Sequence, residues 1–287
     1  MKAKVIIAGI SGFVGKELKN MFQKMGYDVE GIQRETYQDI SKLAQQINGS
    51  DIVINLAGAN IIARWDEEYK QKLYHSRLDT TKALIKGFKE CEVRPKLFIS
   101  TSAVGIYDNQ SIYSEDDMNY AKDFLGNLCI DWEAQALRAS ELDIRTVIFR
   151  FGIVLGKNGG ALQKMLLPFK LGLGGRIGSG KQGFSYIHID DLLSAYKFVV
   201  EDKNQEGIYN LVAPNPTTNQ GLTDALGKAL NRPTILPVPE FVLELIFSQG
   251  AKVLTDGQQI VPKRLLDNGF KFAHETIQDA INDLVKK

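Results

Sequence analysis

The strongest constraint on the fold is a set of three glycines close to the N-terminus. Gly9, Gly12 and Gly15 directly follow an apolar stretch at residues 5–8 and lead into residues with helical periodicity. Gly9 allows a tight turn, Gly12 leaves the backbone open to close approach, and Gly15 lets the helix pack closely on the strand. The order of strand, glycine loop and helix therefore predicts the first unit of a parallel α/β sheet.

The start of that helix is also a predicted binding site. Free N–H groups and a partial positive charge at a helix N-terminus suit the diphosphate of a dinucleotide cofactor. A plain turn would explain a lone glycine triplet, but the position directly after an N-terminal strand favours cofactor binding. The residues that we expect to contact the cofactor here are Gly9, Ser11, Gly12, Phe13, Val14 and Gly15.

Further cofactor contacts are expected where the second and third strands end. Leu56, Ala57 and Gly58 follow the third strand and let the backbone approach a cofactor, although they would equally suit a plain turn. Arg34 follows the second strand, where an acidic residue would bind the ribose of NAD and an arginine accommodates the 2′-phosphate of NADP. NADP is therefore predicted in preference to NAD; the alternative is that Arg34 is a solvated surface residue.

Short β-branched runs alternate with helical stretches through the first two thirds of the chain. Strands are predicted at residues 5–8, 28–32, 51–56, 96–99 and 144–149, and helices at 13–25, 66–90 and 121–141. A further strand is expected to run through Tyr186 into a helix capped by Asp190 or Asp191. The alternation predicts the α/β class, with a doubly wound parallel sheet of the Rossmann type.

The composition changes near residue 213. Six of the eight prolines follow it, among stretches with helical periodicity, and a proline does not fit a central strand or a helix interior. We therefore predict two units, an NAD(P)-binding Rossmann domain at residues 1–212 and a small, mainly helical C-terminal domain at 213–287.

Charge and cysteine content exclude several classes of protein. Lys plus Arg (35) against Asp plus Glu (34) leaves a net charge of +1, which argues against nucleic-acid binding. Cys91 and Cys129 are too few for a disulfide framework, and the three histidines lie far apart in the sequence, so no metal site is expected. No apolar run reaches about 18 residues and the N-terminus carries no signal peptide, so we expect no membrane span and a cytoplasmic location.

Several motifs together resemble the extended short-chain dehydrogenase/reductase superfamily. The glycine loop, residues 55–58 and residues 100–102 carry the superfamily pattern. The narrower likeness is to its NAD-dependent epimerase/dehydratase-like "epimerase family protein" branch, on motifs at residues 55–65, 76–81, 102–107, 129–133, 150–156, 185–191 and 257–265. The resemblance covers essentially the whole chain, including a short C-terminal domain. It implies an extended-type Rossmann fold, cofactor contacts from Ser100 and Arg150, and a substrate lid near residues 157–184. For Arg150 the alternative, which is slightly favoured, is a structural ion pair, and for the lid segment it is a surface loop without a ligand.

The chain departs from the superfamily at the catalytic acid. Active members use a tyrosine followed four residues later by a lysine, whose charge lowers the pKa of the tyrosine. None of the ten tyrosines has a lysine there: at this spacing Tyr69 is followed by Leu73, Tyr107 by Ser111, Tyr113 by Asp117 and Tyr120 by Phe124. At the matching helix positions stand Cys129 and Glu133, and a glutamate would oppose deprotonation of its neighbour. The usual proton relay is therefore not expected.

Four residues remain as catalytic candidates, each with a structural alternative. Ser102 matches the superfamily serine that binds a substrate oxygen, or it satisfies local backbone groups. Tyr107 is a proton donor or a packed loop aromatic. Cys129 is a reactive thiol only if its pKa is lowered, and a buried inert cysteine is favoured. Glu133 is a general base or an ion-paired helix residue.

Two functions follow from these residues. The first is an NADP-binding oxidoreductase or nucleotide-sugar-epimerase-like enzyme, which acts on a small carbonyl or hydroxyl substrate with an atypical active site. The second is a catalytically silent NADP-binding redox sensor or scaffold. The expected partner is a small-molecule substrate. A homodimer is an open alternative to a monomer. Neither nucleic acid nor a membrane is expected as a partner.

Overall fold

The protein is described by a computed structural model that covers residues 2–285, without the side chain of Lys164. The outermost residues of the two predicted units, 1, 286 and 287, lie outside this range. The strands are β1 (Lys4–Ala8), β2 (Asp28–Ile32), β3 (Ile52–Asn55), β4 (Leu97–Ala103), β5 (Ile112–Tyr113), β6 (Arg145–Phe151), β7 (Ile153–Gly156), β8 (Tyr186–His188), β9 (Gly207–Leu211) and β10 (Gln259–Ile260).

The helices surround these strands. They are α1 (Phe13–Lys24), α2 (Ile40–Ile47), α3 (Glu67–Glu90), α4 (Phe124–Leu137), α5 (Gly160–Lys170), α6 (Ile189–Glu201), α7 (Asn219–Leu230), α8 (Glu240–Phe247), α9 (Lys252–Thr255), α10 (Lys263–Asp267) and α11 (Ile277–Val285). Single 3₁₀ turns lie at Arg34–Gln38, Val104–Ile106, Ser140–Leu142 and Gln249–Ala251. Among the residues that the model describes, no helix is long and apolar enough to span a bilayer.

The predicted fold class is confirmed. The main sheet has six parallel strands in the order β2-β1-β3-β4-β6-β9, with helices on both faces. Alternate side chains of β1 enter opposite layers: Val5 and Ile7 pack with α1 and α6, whereas Ile6 and Ala8 pack with α2 and α3. The strand order reverses between β1 and β3, and a ligand of an open α/β sheet binds outside the carboxyl ends of the strands at such a reversal.

The region after residue 213 is mainly helical, as predicted, and it is attached to the sheet domain by specific contacts. Strand β10 pairs in parallel with β5, which follows the loop after β4. The buried carboxylate of Asp191 on α6 accepts hydrogen bonds from the backbone N–H groups of Ala273 and His274, at 2.6 and 3.0 Å. Where the two predicted units divide, at residues 212 and 213, stays a prediction.

The structure corrects the prediction for the start of α6. His188 caps this helix, because its Nδ1 atom accepts a hydrogen bond from the backbone N–H of Asp190, and neither Asp190 nor Asp191 does so. His188 also stacks on His274 with ring centroids 3.7 Å apart, although the two residues are 86 positions apart in the sequence. With Asp190 and Asp283 they form a cluster whose donor atoms lie within 4.8 Å of one another. Two of the three histidines are therefore adjacent in the structure, although they lie far apart in the sequence. The expected lack of a metal site stays a prediction.

Candidate functional site: a crevice at the carboxyl ends of β1 and β3

The loops after β1 and β3 contact each other through their backbones. Gly9 has a φ of +82°, and a Cβ at this position would lie 2.9 Å from the carbonyl carbon of Leu56. A side chain at Gly15 would in turn collide with the carbonyl oxygen of Gly9 and with the Ile10 backbone. The predicted roles of these two glycines, a tight turn and close packing of helix on strand, therefore match their positions in the structure.

The first turn of α1 presents a free anion-binding surface. Gly12 is its N-cap residue and has no side chain that could occupy the free N–H groups. Ser11 and Gly12 are exposed, whereas Phe13 turns its ring onto the tight turn after β7. A Cβ on Gly159 would lie 2.5 Å from the Phe13 ring, and side chains at Gly156 and Gly160 would also meet it. The start of α5 is thereby placed against the glycine loop.

Side chains of α3 hold the loop that follows β3. The Asn55 amide donates to the Thr81 hydroxyl at 2.9 Å, and its carbonyl oxygen accepts from the Ala57 backbone at 3.2 Å. Ser76 Oγ accepts from the backbone N–H of Ala59, and Arg77 Nη2 donates to the carbonyl of the same residue. Residues 56–59 are thus held rigidly beside the crevice, and Gly58 leaves room for the Arg77 guanidinium.

Arg34 lies just after the carboxyl end of β2, and its predicted contact with NADP stays a prediction. It begins the 3₁₀ turn after β2, and β2 pairs in register with β1 up to Ile32 opposite Ala8. Arg34 is exposed, and within residues 2–285 its guanidinium makes neither an ion pair nor a side-chain hydrogen bond. It can therefore turn toward an anion bound at the same edge of the sheet as the glycine loop.

Arg150 and Glu133 form a buried ion pair behind the crevice. Arg150, at the end of β6, is 1% exposed and donates to Glu133 through Nε at 2.8 Å and through Nη2 at 2.7 Å. Burial opposes the charge of Arg150, but the hydrogen bonds and the charge of Glu133 outweigh it and raise the arginine pKa. Ser102 donates its hydroxyl to the same carboxylate at 2.6 Å. Arg150, predicted to contact the cofactor, instead binds protein groups inside the molecule.

Two tyrosines complete this network. Arg150 Nη1 donates to the Tyr107 hydroxyl at 2.5 Å, and Tyr107 donates to Asn210 Oδ1 at 3.1 Å. Tyr107 is fully buried, and burial raises its pKa to about 12 although Arg150 and Asn210 lower it. Tyr120 lies at the edge of the network, where it is partly exposed and its hydroxyl accepts from Arg150 Nη2 at 3.4 Å.

Cys129 lies inside the protein beside the ion pair. The residue is 3% exposed, and burial together with the negative charge of Glu133 raises the thiol pKa to about 12, although Arg77 and the Ser102 hydroxyl lower it. A thiol with so high a pKa is almost entirely protonated at neutral pH and is a poor nucleophile. The structure therefore favours the buried inert cysteine over a catalytic one.

The predicted catalytic residues meet at one place, but inside the protein. Ser102, Glu133 and Cys129 are adjacent and Tyr107 joins them through Arg150, at exposures of only 0 to 5%. Ser100 likewise lies buried within β4, paired between β3 and β6, so its predicted cofactor contact would require an approach that this conformation does not offer.

Sequence reasoning missed the residues that anchor the network from distant elements. Asn210 of β9 binds Tyr107 from 103 residues away, and Thr81 of α3 accepts the Trp132 indole N–H at 3.0 Å. The superfamily pattern does not indicate Tyr120, because Phe124 and not a lysine stands at the fourth position after it. Tyr120 stands three residues before Asp123, the N-cap of α4, and this closeness in the sequence is what indicates that it lies near that helix.

Comparison with known proteins gives a family for the chain. The model of the NAD dependent epimerase/dehydratase family matches residues 5–211, and a domain of unknown function, DUF1731, matches residues 238–284. Epimerase family protein SDR39U1 of Mus musculus is 38% identical over 294 residues, which cover 98% of this chain and 99% of that protein. Epimerase family protein SAR0825 of Staphylococcus aureus (strain MRSA252) is 35% identical over 296 residues, at 98% and 99% coverage.

A solved structure extends the likeness to the whole fold. The crystal structure of human epimerase family protein SDR39U1 (isoform2) with NADPH is similar to this chain with a TM-score of 0.92 at 34% identity, and the match covers 99% of both chains. The glycine loop, the six-stranded sheet and the C-terminal region all fall within that match.

Loss of one partner of the buried ion pair should destabilise the fold strongly. Glu133→Gln removes the counter-charge of a buried guanidinium and is expected to lower the free energy of unfolding by about 3–5 kcal/mol. The double variant Glu133→Leu with Arg150→Met removes both charges. Its loss of unfolding free energy should be much smaller than the sum of the losses in the single variants Glu133→Leu and Arg150→Met. Urea denaturation followed by circular dichroism measures each value.

An exposed ion pair provides the control for that comparison. Lys263 contacts Asp267 at 2.8 Å and Asp116 at 3.1 Å on the surface, and Lys263→Met should change stability by less than about 1 kcal/mol. If Glu133→Gln and Lys263→Met lowered the free energy of unfolding by the same amount, the buried pair would stabilise the fold no more than the exposed one, and the prediction would be wrong.

The Cys129 thiol should be unreactive in the folded protein. In a Cys91→Ser background, reaction with 5,5′-dithiobis(2-nitrobenzoate) at pH 8 is expected to be at least about 100-fold slower in buffer than in urea, since burial raises the pKa. Because the folded pKa lies above the ordinary 9.0, the neutral thiol stabilises the fold below pH 9, and this stability is lost as the pH rises toward 12. Rapid labelling of the native protein would instead indicate a reactive thiol.

Proposed function

The chain belongs to the NAD dependent epimerase/dehydratase family, and from this premise we propose that it binds NADP(H) in the crevice and exchanges hydride with a small carbonyl or hydroxyl substrate. The observation that carries the proposal is the exposed first turn of α1, which has no side-chain cap and follows the loop that contacts the end of β3. The similarity to human SDR39U1, which was crystallised with NADPH, supports the choice of cofactor.

The residues of the crevice fit the two charged parts of this cofactor. The diphosphate would lie on the free N–H groups of Ser11 and Phe13, on either side of Gly12, where the dipole of α1 is positive. The 2′-phosphate would lie against Arg34, whose planar guanidinium suits two phosphate oxygens at once. When bound, the nicotinamide supplies or accepts a hydride at the substrate carbon.

Reduction of a carbonyl also requires a proton, and the buried network limits where it can come from. Tyr107 is fully buried, and Glu133 is held by Arg150. Tyr120 is the partly exposed hydroxyl of the network, and it accepts a hydrogen bond from Arg150 Nη2 at 3.4 Å. We assign Tyr120 as the proton donor in the catalytic version of this proposal.

The second candidate function is that of an NADP(H)-binding protein without turnover, a sensor or scaffold. One observation favours it: the four residues predicted for catalysis have exposures between 0 and 5%, and Ser102, Glu133 and Tyr107 are hydrogen-bonded to other protein groups. Cofactor binding and catalysis are therefore tested separately.

Arg34 should distinguish NADPH from NADH. Arg34→Ala removes a charge-assisted contact worth about 1.5–3 kcal/mol, so the Kd for NADPH is expected to rise by roughly 10-fold or more, with little change for NADH. Saturating NADPH at about 100 times its Kd should raise the unfolding free energy of the unaltered protein by roughly 2.7 kcal/mol. Fluorescence titration and thermal shift measure the two effects.

Arg138→Ala serves as the matched control, because Arg138 is an exposed arginine at the end of α4 with one long ion pair to Glu141. Equal losses of NADPH affinity in both variants, or identical affinities of the unaltered protein for NADPH and NADH, would remove Arg34 from the cofactor site.

Turnover separates the two candidate functions. With NADPH deuterated at C4 and a panel of aldehydes and ketones, an enzyme transfers deuterium to the substrate carbon, which mass spectrometry detects. Tyr120→Phe should lower kcat by about 100-fold or more, the usual contribution of a general acid, without changing the Kd for NADPH. Tyr113→Phe, which alters a neighbouring tyrosine that does not contact Arg150, should leave kcat within about twofold. Tight NADPH binding without deuterium transfer to any member of the panel would favour the silent binder.

A further inference from the structure

Arg77 of α3 is a partly buried cation that lies against the loop after β3. A Cβ on Gly58 would lie 3.0 Å from its Cζ atom, and Nη2 donates to the Ala59 carbonyl at 3.1 Å. The same guanidinium lies over the Trp132 ring, 5.4 Å from its centroid, and Nη1 donates to the Leu73 carbonyl at 3.1 Å. These partners fix the position of the guanidinium, but all of them are neutral.

The charge of Arg77 is not balanced by an acidic side chain. Among the residues that the structure describes, Arg77 forms no ion pair with Asp or Glu, whereas the guanidinium of Arg150 is paired with Glu133. The side chains whose charge would act on Arg77 are those of Cys129 and Tyr69, a thiol and a phenol in place of carboxylates. Burial lowers the pKa of Arg77, because a guanidinium withdrawn from water without a counter-charge is unfavourable.

Holding the loop in place does not by itself explain an arginine at position 77. Ser76, the preceding residue, already binds the backbone N–H of Ala59 with a neutral hydroxyl, and a neutral side-chain amide could donate to a carbonyl equally well. A guanidinium carries five N–H donors, and the hydrogen bonds to Leu73 and Ala59 use two of them. Because Arg77 is partly exposed, the positive charge and the remaining donors are available to a bound anion.

The strand order places this guanidinium on the substrate side of the glycine loop. Arg34 follows β2, the glycine loop follows β1, and the Arg77 guanidinium contacts the loop after β3. Since the strands lie in the order β2-β1-β3-β4, Arg34 and Arg77 are on opposite sides of the glycine loop. On the far side follows β4 with Ser102, and Cys129 is the shared neighbour of Arg77 and Ser102. The phosphates of the proposed cofactor, bound at α1 and Arg34, therefore leave Arg77 free.

We propose that Arg77 binds a carboxylate of the substrate, so that the substrate is a carbonyl or hydroxyl compound that also carries an acid group. The inference rests on the proposed function, because it assigns the phosphates of the cofactor to other residues. One guanidinium among neutral groups supplies one positive charge, which the single negative charge of a carboxylate neutralises. A phosphate monoester carries about −1.5 to −2 charges at pH 7 and would leave an excess. The planar fork of the guanidinium also matches the two oxygens of a carboxylate.

The test compares an acid with its neutral amide on the NADPH-loaded protein by isothermal titration calorimetry. Alcohols are used because they do not react with the reduced cofactor, in two pairs: 4-(hydroxymethyl)benzoate with 4-(hydroxymethyl)benzamide, and 6-hydroxyhexanoate with 6-hydroxyhexanamide. In at least one pair the acid is expected to bind about 10-fold or more tightly than the amide, since only the acid forms a charge-assisted hydrogen bond. Higher salt should reduce this preference.

Variants of Arg77 separate anion binding from a structural role. Arg77→Met removes the charge and should bring the affinities for acid and amide to within about twofold of each other, with the Kd for NADPH unchanged. Arg77→Lys keeps the charge without the fork and should retain part of the preference, which decides the test if Arg77→Met does not fold. Arg94→Met is the matched control and should retain all of it: Arg94 is an exposed arginine that also donates to a backbone carbonyl, that of Leu142 at 3.3 Å, but it precedes β4 at the opposite edge of the sheet.

Equal affinities for acid and amide in both pairs, or a preference for the acid that persists in Arg77→Met, would overturn the proposal. Tighter binding of 4-(hydroxymethyl)phenyl phosphate than of 4-(hydroxymethyl)benzoate would overturn the choice of a carboxylate, and an acid that raises the Kd for NADPH would place the anion in the cofactor site. If NADPH binds and the acid has no advantage, only this inference fails. If the acid binds through Arg77 but NADPH does not bind, the cofactor proposal fails and the anion site stands.

Discussion

The buried guanidinium of Arg150 determines the chemistry of the site around it. An unpaired cation at the end of a central strand would be very costly, so the fold must provide a counter-charge, and Glu133 on α4 provides it. A lysine at position 133, where the superfamily relay would have one, would face Arg150 with like charge. The ion pair and the Tyr-Lys relay are therefore mutually exclusive, and the remaining polar groups, Ser102 and Tyr107, are arranged around the pair.

The parts that were predictable from the sequence are those that depend on local contacts. Gly9 and Gly15 meet backbone atoms of their own loop or of the adjacent strand end, and such contacts leave a clear pattern of small residues directly after a strand. The buried strands β1, β3 and β6 are likewise visible as short apolar runs. Their parallel order follows from the alternation with helices, because right-handed crossovers leave few other arrangements.

The parts that were not predictable depend on contacts between distant residues. Glu133 and Arg150 can each be recognised as charges that need a partner, but nothing local shows that each satisfies the other or that both are buried. Asn210 binds Tyr107 from 103 positions away, and His188 stacks on His274 from 86 positions away. The sequence therefore offers Ser102, Tyr107, Cys129 and Glu133 as candidates, while their burial, on which their chemistry depends, is visible only in the folded protein.

Most polar groups of the site lie inside the protein, and this bears on how a reaction could proceed there. Arg150 and Glu133 pair with each other, Ser102 and Tyr107 are hydrogen-bonded to that pair, and all four residues are at most 5% exposed. The Tyr120 hydroxyl is at the edge of this network, partly exposed, and accepts a hydrogen bond from Arg150 Nη2 at 3.4 Å. In the proposed reaction the proton would therefore come from the edge of the network and not from its interior.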